Sequence, residues 1–203
     1  MLKENFKVAV PEFPDRKTSI TAYGAVKNIY DEDTGRINAK VINEAIKSMS
    51  SQGGGTVVIP QGVWMTSPIR LLSGVRLYLE RGAVLKFTKN KKDYPLVITN
   101  YEGQECIRTV SPISADGAEN IAISGYGVID GSGDLWRPVK QFKLTARQWN
   151  ALLKKSEYVI ETKEGGIWFP SESAYLGNKA NIQGKTQDIL PQAADYYDFY
   201  RPV

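Results

Sequence analysis

The sequence of 203 residues contains no histidine and only one cysteine, Cys106. Without histidine, these residues cannot form a Ser-His-Asp triad, a Cys-His dyad or a histidine-ligated metal site. A single cysteine also excludes an internal disulfide and a zinc site built from several thiolates. We therefore interpret Cys106 as a small, partly buried residue.

Long apolar runs are lacking as well. No uninterrupted apolar stretch is long enough to span a bilayer, and the first residues, Met1–Phe6, lack the apolar core of a signal peptide. We predict no membrane partner, which leaves a cytoplasmic protein or a secreted or extracytoplasmic one whose leader has been removed. The net charge is only +4, and the 26 basic residues are scattered, so a nucleic-acid partner is not predicted.

Eighteen glycines and ten prolines indicate many turns between short elements. We predict an irregular lead-in over residues 1–22, with a short strand at Ile20–Tyr23. Apolar residues then recur at helical spacing, which predicts an amphipathic helix over Ile37–Met49. Asn38 is the predicted N-cap of that helix, and Gly53–Gly55 is predicted to end it.

After these glycines the apolar period drops to two, which is typical of strands. The predicted strands cover residues 56–60, 75–80, 83–87, 112–115, 120–124 and 127–130. Inward aliphatic side chains are expected at Val57, Ile59, Val75, Leu77, Leu79, Ile121 and Ile123. Residues 73–77 and 119–123 repeat one pattern at an offset of 46 positions, as two stacked coils of a solenoid would. A sandwich or barrel would also give this density of strands.

Residues 134–198 contain aromatic and charged residues but little alternation. Thr145 and Gln148 have the spacing of a capping box, which predicts a short helix over about residues 145–155. After Gly165 and Gly166 the sequence predicts a long loop.

Several segments, in this order and spacing, resemble glycoside hydrolase family 28, the polygalacturonases and their relatives. The resemblance lies in residues 23–25, in the helix with Ala45 and Ile46, in residues 53–60, 62–64, 68–71, 82–85, 119–125 and 127–133, and in the last segment, Asp198–Val203. It implies an all-β solenoid, a right-handed parallel β-helix. Residues 23–133 would then form an N-terminal capping α-helix and the first coils, 134–198 a long, partly helical insertion, and 199–203 the start of a further coil.

The resemblance implies inverting hydrolysis of glycosidic bonds in a pectin-like acidic polysaccharide, which requires a carboxylic acid and a carboxylate base. In the family these carboxylates lie in an Asn-x-Asp motif and an Asp-Asp pair, which His-Gly and Arg-x-Lys motifs follow. None of these motifs occurs in this sequence. The resemblance thus implies that they lie beyond Val203, and that this chain alone is inactive. We predict no catalytic, cofactor-binding or metal-binding residue within it.

Three acidic positions are alternatives to this interpretation. Asp116 and Asp130 each precede a glycine, and we interpret them as turn residues in preference to catalytic acids. The cluster Asp31–Asp33 would suit a cation in a pectate-lyase-like, calcium-dependent enzyme. Because it lacks the further spaced oxygen ligands of a calcium loop, a solvated loop is favoured.

Trp136 follows a glycine-rich turn and is the predicted substrate-binding residue. Arg137, Lys140 and Lys143 are candidates for contacts with uronate carboxylates. The other aromatic residues are predicted mainly to hold the insertion against the β-helix: Trp149, Trp168, Tyr175, Tyr196 and Tyr197. Because catalytic motifs are missing, the alternative function is a non-catalytic β-solenoid that binds polysaccharide or has a structural role.

Overall fold

A computed structural model of the chain describes residues 9–101 and 103–182. These residues divide into two compact units. The first unit comprises residues up to Thr88 together with Ile113–Gly131, and the second comprises Lys89–Pro112 together with the residues from Ser132 onward. The boundaries predicted from the sequence at 22, 133 and 198 remain predictions, and the predicted coil at 199–203 lies outside the described residues.

Most regular elements are short strands. In chain order they are β1 (Lys17–Ser19), β2 (Gly55–Ile59), β3 (Gly62–Thr66), β4 (Ile69–Arg70), β5 (Val75–Leu79), β6 (Ala83–Phe87), β7 (Leu96–Tyr101), β8 (Gln104–Thr109), β9 (Ile113–Ser114), β10 (Ala122–Gly125), β11 (Val128–Asp130), β12 (Val139–Lys140), β13 (Val159–Thr162) and β14 (Gly165–Trp168). The α-helices are α1 (Glu32–Ser51), α2 (Ala146–Leu153) and α3 (Glu172–Ile182).

The first unit contains three sheets whose strands all pair in parallel. Their strand orders are β1-β2-β5-β10, β3-β6-β11 and β4-β9. From β2 onward, consecutive strands of this unit belong to different sheets, and the chain returns to each sheet one coil later. This arrangement is a parallel β-helix, as the sequence predicts.

The spacing of the coils explains the repeat found in the sequence. Val57 lies beside Leu77, twenty positions later, and Leu77 lies beside Ile123, 46 positions later. The longer step includes residues 89–112, which belong to the second unit. The echo at 46 positions therefore comes from two adjacent coils with a segment inserted between their strands.

Aliphatic and aromatic side chains fill the interior of the coils. Buried residues from these strands are Val57, Ile59, Trp64, Ile69, Val75, Leu77, Leu79, Ala83, Leu85 and Phe87. Each large aliphatic side chain in this position contributes about 1.5–3 kcal/mol to folding. The predicted core residues of β2 and β5 are thus confirmed. Ile123 is 46% exposed, contrary to prediction, because in the described residues β10 is the last strand of its sheet.

Helix α1 begins earlier than predicted. Asp31 is its N-cap, and its Oδ1 accepts a hydrogen bond from the Thr34 N–H at 2.6 Å. The prediction of Asn38 as N-cap was wrong, because the first turn is polar and gave no apolar signal. The prediction of a solvated loop at Asp31–Asp33 was also wrong. These residues form the N-cap and the first turn of α1.

Asn38 lies fully buried in the middle of α1. Its side chain accepts a hydrogen bond from the Val26 N–H at 2.8 Å, and donates to the Val26 carbonyl at 2.7 Å and the Met65 carbonyl at 2.8 Å. One side chain thus fixes the helix to the segment before it and to β3.

The glycine triplet ends α1, as predicted. The Gly54 N–H donates to the Met49 carbonyl at 3.0 Å. Gly53 and Gly54 have φ angles of +88° and +103°, which glycine adopts without steric cost. The chain approaches the next coil closely here, because a Cβ on Gly54 would lie 2.6 Å from the Gly74 carbonyl oxygen.

The lead-in is more regular than predicted. Lys17–Ser19 forms β1, which pairs with β2 in parallel. Ile20–Tyr23, predicted as a strand, is a 3-10 helix whose N-cap is Ser19. The Ser19 hydroxyl accepts the Thr21 N–H at 3.2 Å, and this local bond competes with an extended backbone.

In the second unit the strands pair antiparallel, in the hairpin β7-β8 and in a sheet of order β12-β14-β13. The predicted short helix is α2, with the predicted capping box between Thr145 and Gln148. The predicted loop after Gly165 was wrong as far as residue 182, where β14 and α3 lie. The prediction failed because two adjacent glycines usually mark a turn or loop, and because the apolar residues of α3 do not follow helical spacing. Residues 183–198 of the predicted insertion lie outside the described residues.

We predict that Gly54→Ala destabilises the protein more than Gly53→Ala. Both positions have positive φ, which costs an alanine roughly 1–2 kcal/mol. Only at Gly54 does the added methyl also meet the Gly74 backbone, and nothing lies within 4 Å of a Cβ at Gly53. Denaturant unfolding of both variants measures the difference, which we expect to be at least about 2 kcal/mol. Equal losses would contradict the close approach between the coils.

Replacing Asn38 with alanine should cost about 3 kcal/mol, because it leaves buried backbone groups of Val26 and Met65 without their partner. The matched control is Lys40→Ala, an exposed position on the same helix, which should change the free energy of unfolding by less than about 0.5 kcal/mol. Both variants are compared by denaturant unfolding. A small effect of Asn38→Ala would show that the hydrogen bonds do not hold the helix in place.

Candidate functional site

Three aspartates that could be considered for a catalytic role lie in ion pairs. In the first unit, Asp116 Oδ2 lies 3.2 Å from Arg70 Nη2, and Asp130 Oδ2 lies 3.4 Å from Lys86 Nζ. In the second unit, Asp134 Oδ2 lies 2.6 Å from Lys89 Nζ. Asp130 and Lys86 are register partners on β11 and β6, which sequence reasoning missed because the pairing depends on strand register. We assign none of these aspartates a catalytic role.

The acidic cluster Asp31–Asp33 serves helix α1. A hydrogen bond from the Thr34 backbone, with a second from its side chain, lowers the pKa of the Asp31 carboxyl below its ordinary value of 3.8. The charge also lies at the positive end of the helix dipole. Asp33 Oδ1 lies 2.6 Å from Arg36 Nη2. Within the described residues, no group of three or more acidic, cysteine or histidine side chains is arranged to hold a metal ion.

Trp136 packs inside the second unit. Its side chain is only 5% exposed, and its ring meets Tyr94 edge to face at a centroid distance of 5.4 Å. Trp149 and Trp168 are buried to a similar degree. These rings stabilise the unit, and the substrate contact of Trp136 stays a prediction. Tyr196 and Tyr197 lie outside the described residues.

The basic candidates Arg137, Lys140 and Lys143 are all exposed. Two of them flank Phe142, which sequence reasoning missed and whose side chain is 60% exposed. Lys140 Nζ lies 5.6 Å and Lys143 Nζ 5.9 Å from the centroid of the Phe142 ring. The run Lys-Gln-Phe-Lys, an aromatic residue between lysines, is the signal that could have identified it.

Two curated relatives are similar to part of the chain. A probable polygalacturonase of Vitis vinifera is 31% identical over 109 residues, which are 49% of this chain and 22% of the relative. An exo-poly-alpha-D-galacturonosidase of Dickeya chrysanthemi is 33% identical over 123 residues, 57% of this chain and 19% of the relative. The chain therefore spans about a fifth of the length of these relatives. No protein-family model matches it.

The chain is also similar to a solved polygalacturonase structure. A hyperthermoactive exopolygalacturonase from Thermotoga maritima is 35% identical, with a TM-score of 0.54, over 62% of this chain and 27% of that one. In its matched part, this chain is similar to polygalacturonases. The polygalacturonase-like resemblance predicted from the sequence is thereby confirmed, and the relatives that carry it are glycoside hydrolases.

A second solved structure extends the likeness in fold. The family 28 exopolygalacturonase of Yersinia enterocolitica is 22% identical, with a TM-score of 0.53, over 92% of this chain and 31% of that one. At this identity the likeness concerns the parallel β-helix alone. In the part of the polygalacturonase-like chain that the structure describes, no helix is both long and apolar enough to cross a membrane.

The lowered pKa of Asp31 predicts a pH-dependent contribution to stability. Asp31→Asn keeps a side-chain oxygen that can accept the Thr34 N–H but removes the charge. Because the folded pKa lies below the unfolded one, the stabilisation by the charge is present above pH 3.8 and is lost as the pH falls through the folded pKa. We expect the variant to melt below the wild type at about pH 7, and the difference in melting temperature to be smaller at about pH 2.

Thermal unfolding at both pH values measures the effect. The matched control is Glu44→Gln, which removes the same charge from an exposed position in the middle of α1. A difference between Asp31→Asn and wild type that persists unchanged at low pH would contradict the assignment.

Proposed function

We propose that this chain is part of a glycoside hydrolase that cleaves pectin-like polyuronate with inversion. The observation that carries the proposal is its similarity to polygalacturonases, at 31–33% identity to the two curated relatives. The stacked parallel coils support it, because they supply a rigid surface on which an extended polymer can lie. Exposed basic side chains in the second unit, Arg137, Lys140 and Lys143, suit a substrate that carries a carboxylate on each sugar.

In this proposal α1 caps the first coil. The helix lies against β2, β3 and β4, and its core-facing Ile42 and Ile46 are fully buried. It also satisfies backbone groups of the coil. The Asn43 Oδ1 accepts the Arg70 N–H at 2.9 Å, next to the bonds that Asn38 makes. A cap of this kind shields the apolar end of a solenoid from water and from association with other sheets.

The proposal places the acid and the base outside this chain. Inverting hydrolysis needs one carboxyl group to protonate the leaving oxygen and a second to activate water, with room for that water between them. The aspartates weighed for this role, Asp116 and Asp130, are engaged by Arg70 and Lys86. The contribution of this chain is then the cap, the first coils and basic side chains for the substrate.

The proposal predicts a difference between this chain and the natural polypeptide that contains it. On polygalacturonate, the chain of 203 residues should release no reducing ends, because it lacks the two carboxyl groups. The natural polypeptide should release them, and proton NMR of the first product should show the inverted anomer.

Three other outcomes would contradict the proposal or indicate a different function. Reducing ends from the chain of 203 residues would place catalytic carboxyl groups within it and contradict the proposal. Binding without hydrolysis by the natural polypeptide would establish the non-catalytic polysaccharide-binding alternative. Calcium-dependent, unsaturated products would indicate a lyase.

A further inference from the structure

The turn from Lys140 to Lys143 combines an exposed aromatic ring with two cations, and we propose that it binds one acidic sugar unit of a polyuronate. This basic aromatic turn is defined by Lys140, Gln141, Phe142 and Lys143. The inference rests on the proposed function for the identity of the polymer, and it adds a binding site to it.

The backbone of the turn is held from both sides. Lys140 pairs with Ile167 in the antiparallel ladder of β12 and β14. The Gln141 Oε1 accepts the Gly166 N–H at 2.8 Å, and the Leu144 N–H donates to the Gln141 carbonyl at 3.0 Å. The capping box of α2 follows at once. A site held in this way loses little conformational entropy when it binds a ligand.

Phe142 differs from the other large aromatic side chains around it. The three tryptophans described in the second unit are at most 7% exposed, whereas Phe142 is 60% exposed. It has no polar atom that would gain from contact with water. An exposed, flat apolar face is the surface on which the C–H face of a pyranose packs.

The charges around the ring select an acidic sugar. Lys140 Nζ and Lys143 Nζ lie 5.6 and 5.9 Å from the ring centroid, within the range of cation–π attraction. Within the described part of the chain, neither lysine contacts a carboxylate. Two ammonium groups drawn to one ring repel each other, and a uronate carboxylate beside a stacked sugar would pair with them. A neutral sugar offers the stacking face without this charge.

The test measures binding of the full chain to polygalacturonate by affinity electrophoresis. Phe142→Ala should weaken binding by roughly tenfold, as for aromatic side chains that stack on nucleobases, and Phe142→Trp should retain it. Lys140→Gln with Lys143→Gln should weaken binding by roughly fivefold to tenfold at low salt and reduce its salt dependence. A neutral galactan should bind far more weakly than polygalacturonate.

Two matched controls separate this site from general surface effects. Tyr126→Ala removes a ring that is 69% exposed and lies 4.9 Å from the Arg81 guanidinium, in the first unit. Lys154→Gln with Lys155→Gln removes the same charge from exposed lysines of the second unit. Both controls should bind within about twofold of the wild type. Melting temperatures of all variants should match the wild type, because the altered side chains are exposed.

Wild-type binding by both Phe142→Ala and the Lys140/Lys143 variant would overturn the site and leave the proposed function intact. An equal loss of polygalacturonate binding in the control variants would also overturn the site, because removing any exposed ring or lysine pair would then weaken binding. Equal binding of the neutral galactan would overturn the selection for an acidic sugar. No binding of polygalacturonate by the wild-type chain would overturn the site, whereas the proposed function is decided separately by hydrolysis with the natural polypeptide.

Discussion

Backbone pairing between successive coils is the interaction on which the first unit depends. Each strand is too short to be stable alone and gains its hydrogen bonds from the strand one coil away. Because the register is parallel and residue by residue, Val57 stacks on Leu77, and Trp64 stacks on Leu85. The orientation of a side chain in one coil therefore repeats in the next, and a continuous apolar core follows from the pairing.

The same pairing creates a requirement at the start of the solenoid. In the described residues, β3 is the edge strand of its sheet and pairs with β6 alone, so the backbone carbonyls on its other side need another partner. Helix α1 covers apolar side chains with its own buried stripe, and Asn38 satisfies the Met65 carbonyl of β3. A buried amide is costly unless all its groups are bonded, and this one has three partners. The position of the Asn38 side chain is thus determined by the coil as much as by the helix.

The elements predicted well from the sequence are those whose signal is local. Alternation identifies β5 and β6, and the Thr145–Gln148 pattern identifies the start of α2. The start of α1 and the role of Asn38 depend on partners far along the chain, such as Met65, which no local pattern contains. The ion pair between Lys86 and Asp130 depends on register in the same way. For the proposed site, the sequence indicated Lys140 and Lys143 as candidates but not Phe142, because the exposure of a side chain is a tertiary property.

The two units are subject to different constraints on their sequences. In the first unit, inward positions must match the coil above and below, and a close backbone approach such as that at Gly54 excludes other residues. The second unit comprises residues 89–112, which lie between strands of the solenoid, and the described residues after 131. Its strands pair only among themselves in the described residues. A side chain such as Phe142 can therefore change without disturbing the register of the coils. Residues that recognise a particular polymer are for this reason expected in inserted segments of such a fold, while the repeating strands supply the rigid support.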